Sequence, residues 1–283
     1  MFARVITPPT SITLRVLGMT SFALMSLWGQ AAHAGVATID FDRNDIHHGS
    51  VIANQYQDDY GVTIQANNYA RHHNLAVAYD TRPDNPLNAG KPNWAYDRDL
   101  EGPSWGNSNL SQFGIDASQH QTGNALVIQE NNWGCSDGIC DYPDDEGHYY
   151  GGTLSFSFND FSISDFGFDL VDIQCDEIFH SSVTFANAME SITYNFASFA
   201  YSPVHNAVFG DNSLNRILLS SIGIDADKVI FRIAGSGAID NIRFTTDSSP
   251  ATAVPEPATL GLSLLALGLF GLRQKKVGAR YGR

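Results

Sequence analysis

Carboxylates and flat aromatic rings are the residues of this sequence best equipped for chemistry. Trp94, Tyr96, Trp105 and Trp133 fall in segments with few apolar alternations, and Asp97, Asp99, Asn107 and Asn109 stand close by in sequence. Rings that stack on the C–H faces of a sugar, beside polar groups that bond its hydroxyls, form an apolar platform with a few placed polar atoms, which is what a ligand site needs. Tyr149 and Tyr150 extend the set. The same rings can instead fasten long loops to a core. A second group, CSDGICDYPDDEG over 135–147, offers Asp137, Asp141, Asp144, Asp145 and Glu146 as hard oxygen ligands for Ca2+. Its spacing lacks the alternation of an EF-hand, and a solvated acidic loop accounts for it equally well.

Asp240 falls in phase with Ile242 and Phe244, so a regular strand turns it toward the core. A carboxylate there is costly unless it is hydrogen-bonded or bound to a cation. Backbone N–H groups of a turn at the strand's start are the other account. Cys135 and Cys140 have four residues between them and can close a small disulfide ring in an oxidising compartment. Cys175 lies on a strand pattern and reads as a buried apolar residue. Zinc would need paired Cys/His sets that are missing. In His47-His48 and His72-His73, neighbours on an extended chain point opposite ways, so each pair offers at most one ligand to a shared site. Glu101, Glu130, Glu146, Glu177 and Glu190 are available to a glycosidase, which uses two carboxylates, but nothing in the sequence pairs two of them. No Gly-x-Ser-x-Gly elbow, phosphate loop or HExxH is present.

The elements that must position these residues are strands. Thr153–Phe158, Phe166–Ile173, Lys228–Ile233 and Ala238–Phe244 show strong strand patterns, and Val36–Phe41, Val62–Ala66, Ala125–Glu130, Val183–Phe185 and Ile192–Phe199 weaker ones. Helical periodicity is nearly missing between Gly35 and Thr246. The expectation is an all-β domain over 35–246: a two-sheet antiparallel sandwich, jelly-roll-like, with residues 67–123 as a long loop insertion. Long ordered loops on such a scaffold are where binding residues usually lie. Seven of the 16 basic residues fall in 1–34 and 255–283, where Glu256 is the lone acid, so 35–254 keeps nine basic residues against 29 acidic ones. A net charge near −20 repels nucleic acid and attracts divalent cations.

Both ends read as addresses. Basic residues, an apolar run from Val16 to Trp28 and Ala32-His33-Ala34 make 1–34 a signal peptide, helical in its apolar run and cut before Gly35. Residues 247–253 form a linker, and 254–283 carry Pro255-Glu256-Pro257, then fifteen uncharged residues from Ala258 to Leu272, then Arg273, Lys275 and Lys276. At ~1.5 Å per residue that apolar run spans about 22 Å as a helix, short of the ~30 Å hydrocarbon core, which makes it a marginal transmembrane anchor held by a basic cluster.

This ending resembles the PEP-CTERM sorting signal of Gram-negative bacteria, over roughly 254–276. The resemblance implies export, a transient stay in the inner membrane, and processing at Pro-Glu-Pro by an exosortase-type membrane protease in cells that make exopolysaccharide and biofilm. The domain is similar to those of other PEP-CTERM exported proteins, of a carbohydrate-binding-module or lectin type, in I-D-F-D (39–42), G-N-x-L-V-I (123–128), G-G-T-L-S-F (151–156) and G-A-I-D-N-I (237–242). In carbohydrate-binding jelly rolls a structural calcium ion ties the first strand to the last, and the resemblance implies that Asp240 with Asp40 or Asp42 supplies its ligands. The expectation is therefore an exported, non-catalytic protein of the cell surface or extracellular matrix that binds or organises polysaccharide. A polysaccharide-active glycosidase or lyase, and a purely structural surface protein, are its rivals.

Overall fold

The computed structural model describes residues 35–83, 85, 97–103 and 105–246. The expected signal, linker and sorting segments, with their helices, lie outside the described residues, as do Trp94 and Tyr96. Thirteen strands form among the described residues: β1 (Gly35–Ile39), β2 (Val51–Ile52), β3 (Val62–Asn68), β4 (Ala76–Asp80), β5 (Asn107–Ser108), β6 (Asn124–Ile128), β7 (Gly152–Phe158), β8 (Phe166–Val171), β9 (Ser182–Ala186), β10 (Ser191–Asn195), β11 (Ser213–Leu219), β12 (Lys228–Ile233) and β13 (Ala238–Thr246). They make two sheets. One runs β2-β4-β6-β13-β8-β11-β5, with β1 also paired to β13; the other runs β10-β9-β12-β7-β3. All pairings are antiparallel except β11 with β5.

Alternation builds the five-stranded sheet. Leu154, Phe156 and Phe158 on β7 and Val229, Phe231 and Ile233 on β12 are buried in one core with Phe166, Phe168 and Phe244 of the facing sheet. The rings meet edge-on, Phe168 with Phe231 at 4.9 Å and Phe158 with Phe244 at 5.0 Å. Each such side chain contributes about 1.5–3 kcal/mol on burial. Thr153, Ser155 and Ser157 alternate with them and face outward.

The eight-stranded sheet is covered on both faces. Its outer side forms a second core in which Val77, Tyr79, Val127, Val171, Leu214 and Ala238 pack under Leu100, Trp105 and Leu110. This revises the expected loop over 67–123: it contains β4 and β5, and every residue of β4 is buried. The sequence AVAYD shows no alternation because neither face meets water. β11 escapes the sequence reading for the same reason, with six of its seven residues buried. The expected strand Ile192–Phe199 stops at Asn195, whose side chain accepts the N–H of Ala197 at 2.9 Å and caps a short helix, α1 (Phe196–Ala200).

A second revision concerns Asp240. The register of β13 against β8 shifts between Asp240 and Arg243, and Asn241 takes φ 50°. This bulge lets Ile239 and Ile242, three positions apart, both enter the main core. Asp240 therefore shares the outer face with Ala238 rather than the side of Ile242 and Phe244, and the loop cover buries it completely.

Candidate functional site

The outer face of β13, β8 and β11 carries a polar row. Asp240 is paired in register with Asp169, and Asp169 with Arg216. The Arg216 guanidinium donates twice to Asp169, at 2.8 and 2.7 Å, and Asn241 Nδ2 donates to the same carboxylate at 3.0 Å. Asp169 is thus satisfied as an anion. Among the described residues Asp240 takes donors from Asn241 alone, at 2.6 and 2.8 Å, and burial followed by the charge of Asp169 pushes its carboxyl well above the usual range. Asp42 accepts the N–H of Asn124 at 2.8 Å, and Asp40 that of Asp42 at 3.2 Å. Asp40 and Asp42 line a cavity of about 410 Å³ with Thr38, Arg43, Tyr56 and Tyr60.

A tighter convergence lies where β8 ends and β13 begins. Oxygens of Asp97, Asp144 and Asp145 come within 4.8 Å of one another, so this partly buried group can hold a metal ion. Asp145 is 4% exposed; its Oδ2 accepts the backbone N–H of Gly237 and lies 2.7 Å from Ser236 Oγ. Ser236 Oγ is also 3.0 Å from Asp172 Oδ2. One hydroxyl hydrogen cannot serve both carboxylates, so the second contact is favourable only when a carboxyl proton bridges it. Asp172 further accepts the N–H of Asn212 at 2.6 Å.

Charge makes the group unusual. Burial and then Glu130 raise Asp144 to about 8; burial and then Asp97 raise Asp172 to about 8; burial and then Asp97 drive Asp145 well above its ordinary value. Burial with Asp97 and Asp211 takes Asp99 to about 6. Among the described residues none of these four carboxylates forms an ion pair with a basic side chain. Desolvated carboxylates with no counter-charge must bind protons or a cation.

The structure thus joins Asp97, from the aromatic-rich segment, to Asp144 and Asp145, from the acidic loop. It adds Asp172 and Ser236, which carry no motif in sequence. Asp40, Asp42 and Asp240 do not reach that spacing. Trp105 is 6% exposed, packs against Gly102 and donates to His120 O at 3.0 Å, so the ring is taken up by packing. Trp133 is 52% exposed and meets Tyr142 edge-on at 5.9 Å. Cys135 and Cys140 form a disulfide within that loop. Cys175, expected to be buried, is exposed, its Sγ donating to Phe209 O at 3.0 Å.

Tyr149 and Tyr150, which the sequence offers as further rings, join a larger set. Tyr150 stacks on His148 at 5.3 Å, Tyr149 meets Tyr150 at 6.2 Å and His180 at 5.5 Å, and the Arg232 guanidinium lies 5.6 Å over Tyr69. Arg232 Nε donates to His180 O at 3.1 Å, which links the two pairs.

Residues 253–276 match the PEP-CTERM protein-sorting motif, in agreement with the sequence reading of that segment; the motif implies export and surface sorting. No curated protein matches the chain. Among solved structures the chain has a distant similarity to two variants of CBM29-2, from work on ligand recognition by family 29 carbohydrate-binding modules. One is 15% identical, over 49% of this chain and 79% of that one, with a TM-score of 0.26. The other is 16% identical, over 47% and 77%, also at 0.26.

Proposed function

We propose that this chain is a non-catalytic protein of the cell surface or extracellular matrix whose jelly-roll-like domain binds or organises exopolysaccharide and is steadied by calcium. In this reading the signal 1–34 directs export, the sorting segment 254–283 holds the chain in the inner membrane, and an exosortase-type protease cuts at Pro255-Glu256-Pro257. The basic cluster Arg273, Lys275 and Lys276 stays on the cytoplasmic side. Residues 35–246 are then released outside the cytoplasm, where polysaccharide is the polymer at hand.

The observation that carries the calcium part is the meeting of Asp97, Asp144 and Asp145, which form no ion pair among the described residues. Hard carboxylate oxygens on irregular loops suit Ca2+ better than the softer transition metals. Such an ion would tie the segment at Asp97 to the loop that carries exposed Trp133, and so hold a ring beside polar groups where a sugar can stack. Asp99 belongs to the same acidic patch. Asp40, Asp42 and Asp240 remain a separate proposal for a second calcium ion. Its supporting observation is Tyr56 at the cavity that Asp40 and Asp42 line, with a buried hydroxyl that has no hydrogen-bond partner among the described residues.

Melting curves of the protein with EDTA and with calcium test the first site. Calcium at about 100 times its Kd adds about 2.7 kcal/mol, or roughly 5–10 °C for a domain of this size. Asp145→Asn should lose that shift while melting no lower than the parent in EDTA. An unchanged melting temperature at millimolar calcium would rule the ion out. Binding on a glycan array is expected, and release of reducing ends from the host's matrix would favour the enzymatic rival instead.

A further inference from the structure

The outward face of the five-stranded sheet differs in charge from the rest of the domain. Registers place its side chains in cross-strand rows, one of which reads Asn67, Thr153, Arg232, Ser182 and Asn195. None of the outward positions of β3, β7, β12, β9 and β10 is Asp or Glu, although 35–254 holds 29 acids against nine basic residues. Two of those nine, Lys228 and Arg232, project from β12 in the centre of this sheet. Four residues of strand separate them by about 13 Å. Neither forms an ion pair among the described residues. Arg232 spends Nε on His180 O and stacks on Tyr69, which leaves its terminal nitrogens, the edge that grips a carboxylate, without a partner among the described residues.

The end of this face carries the ring set. Tyr69, Tyr149 and Tyr150 are 39%, 58% and 62% exposed, and ring contacts of 5.3–6.2 Å connect His148, Tyr150, Tyr149 and His180. Gly151 fixes their approach to the sheet: it takes φ 49°, and a Cβ there would meet Ile233 O at 1.9 Å. The face is about 19 Å wide, from four strand spacings of ~4.8 Å. Hydroxyls and amides line it, with Ile230 and Ala186 its only aliphatic side chains. That composition suits a hydroxylated chain laid flat and does not suit insertion into a bilayer or a dry protein interface.

We propose that this face binds an acidic polysaccharide, one whose sugars carry carboxylates, with Arg232 pairing a carboxylate and the Tyr149–Tyr150 ridge stacking on sugar rings. An anionic polymer is repelled by the remainder of so acidic a domain, so it docks where the outward strand positions carry no carboxylate and two cations form no ion pair among the described residues. This inference rests on the polysaccharide reading above and names the polymer class and a second place for it.

Titration of the full chain with polygalacturonate, a neutral glucan and phosphatidylglycerol vesicles tests it. Polygalacturonate should bind with an affinity that falls steeply between 50 and 300 mM salt, and Arg232→Ala should weaken it at least tenfold. Arg232→Lys should recover part of that loss, and the double change Tyr149→Ala/Tyr150→Ala should weaken both polymers. Melting within 2 °C of the parent would establish that the variants are folded. Glucan bound as well as polygalacturonate, with Arg232→Ala silent, overturns this inference and leaves the polysaccharide reading standing. No binding of either polymer overturns both. Capture of vesicles alone, lost in Arg232→Ala, makes the face a lipid site instead.

Discussion

Glu177 illustrates how a single buried carboxylate shapes pH dependence. It precedes β9 and accepts the N–H groups of Gln174 and Ser236 at 3.4 and 3.3 Å, while burial raises it from 4.5 to about 6. A carboxyl whose folded value is raised holds its proton longer in the folded chain. The stability it contributes is complete below 4.5 and lost as pH rises through about 6. Glu177→Gln cannot ionise, so the gap in melting temperature between variant and parent should move in the variant's favour by about 2–5 °C between pH 4 and pH 7.5. A constant gap across that range would show that Glu177 titrates normally. Asp144 and Asp172, raised to about 8 by burial with Glu130 and Asp97 respectively, carry the same sign. In EDTA the domain should therefore lose stability as pH climbs from 4 toward 8. Calcium is expected to reverse the trend at the upper end by replacing the protons.

At the scale of elements, one bulge decides which chemistry the last strand presents. Asn241 holds a left-handed conformation, φ 50°, and its side chain bonds Asp169 at 3.0 Å and Asp240 at 2.8 Å. Asn tolerates this backbone better than most residues. Asn241→Gly keeps the turn and loses the bonds, at about 2 kcal/mol; Asn241→Ala adds backbone strain, for about 3 kcal/mol in all. Urea unfolding of the two variants measures the difference, and equal midpoints would show that the conformation costs Ala nothing. The bulge also explains why strand phase misplaced Asp240: alternation assumes a regular ladder, and one inserted residue inverts it. β7 and β12, with one wet face, were legible from alternation. β4 and β11, dry on both faces, were not.

For the whole molecule the governing fact is the division of charge, with basic termini around an acidic centre. If the terminal segments are addresses, mass spectrometry of the surface protein should find a chain that starts at Gly35 and lacks the apolar run after Pro257. Replacing Pro255, Glu256 and Pro257 with Ala should leave the full tail on a protein trapped in the inner membrane. The sequence by itself determined the sorting motif, the β class and the strands of the half-wet sheet, because each is written in contiguous residues or in a period of two. The tertiary structure alone decided the second core, the face on which Asp240 lies, and the meeting of Asp97 with Asp144 and Asp145. It also set Arg232 on β12 beside Tyr69 and the backbone of His180, which other elements supply. Asp97 stands 47 positions from Asp144, and Tyr69 stands 163 from Arg232; the pairing of distant strands, which has no local signature, is what brings them together.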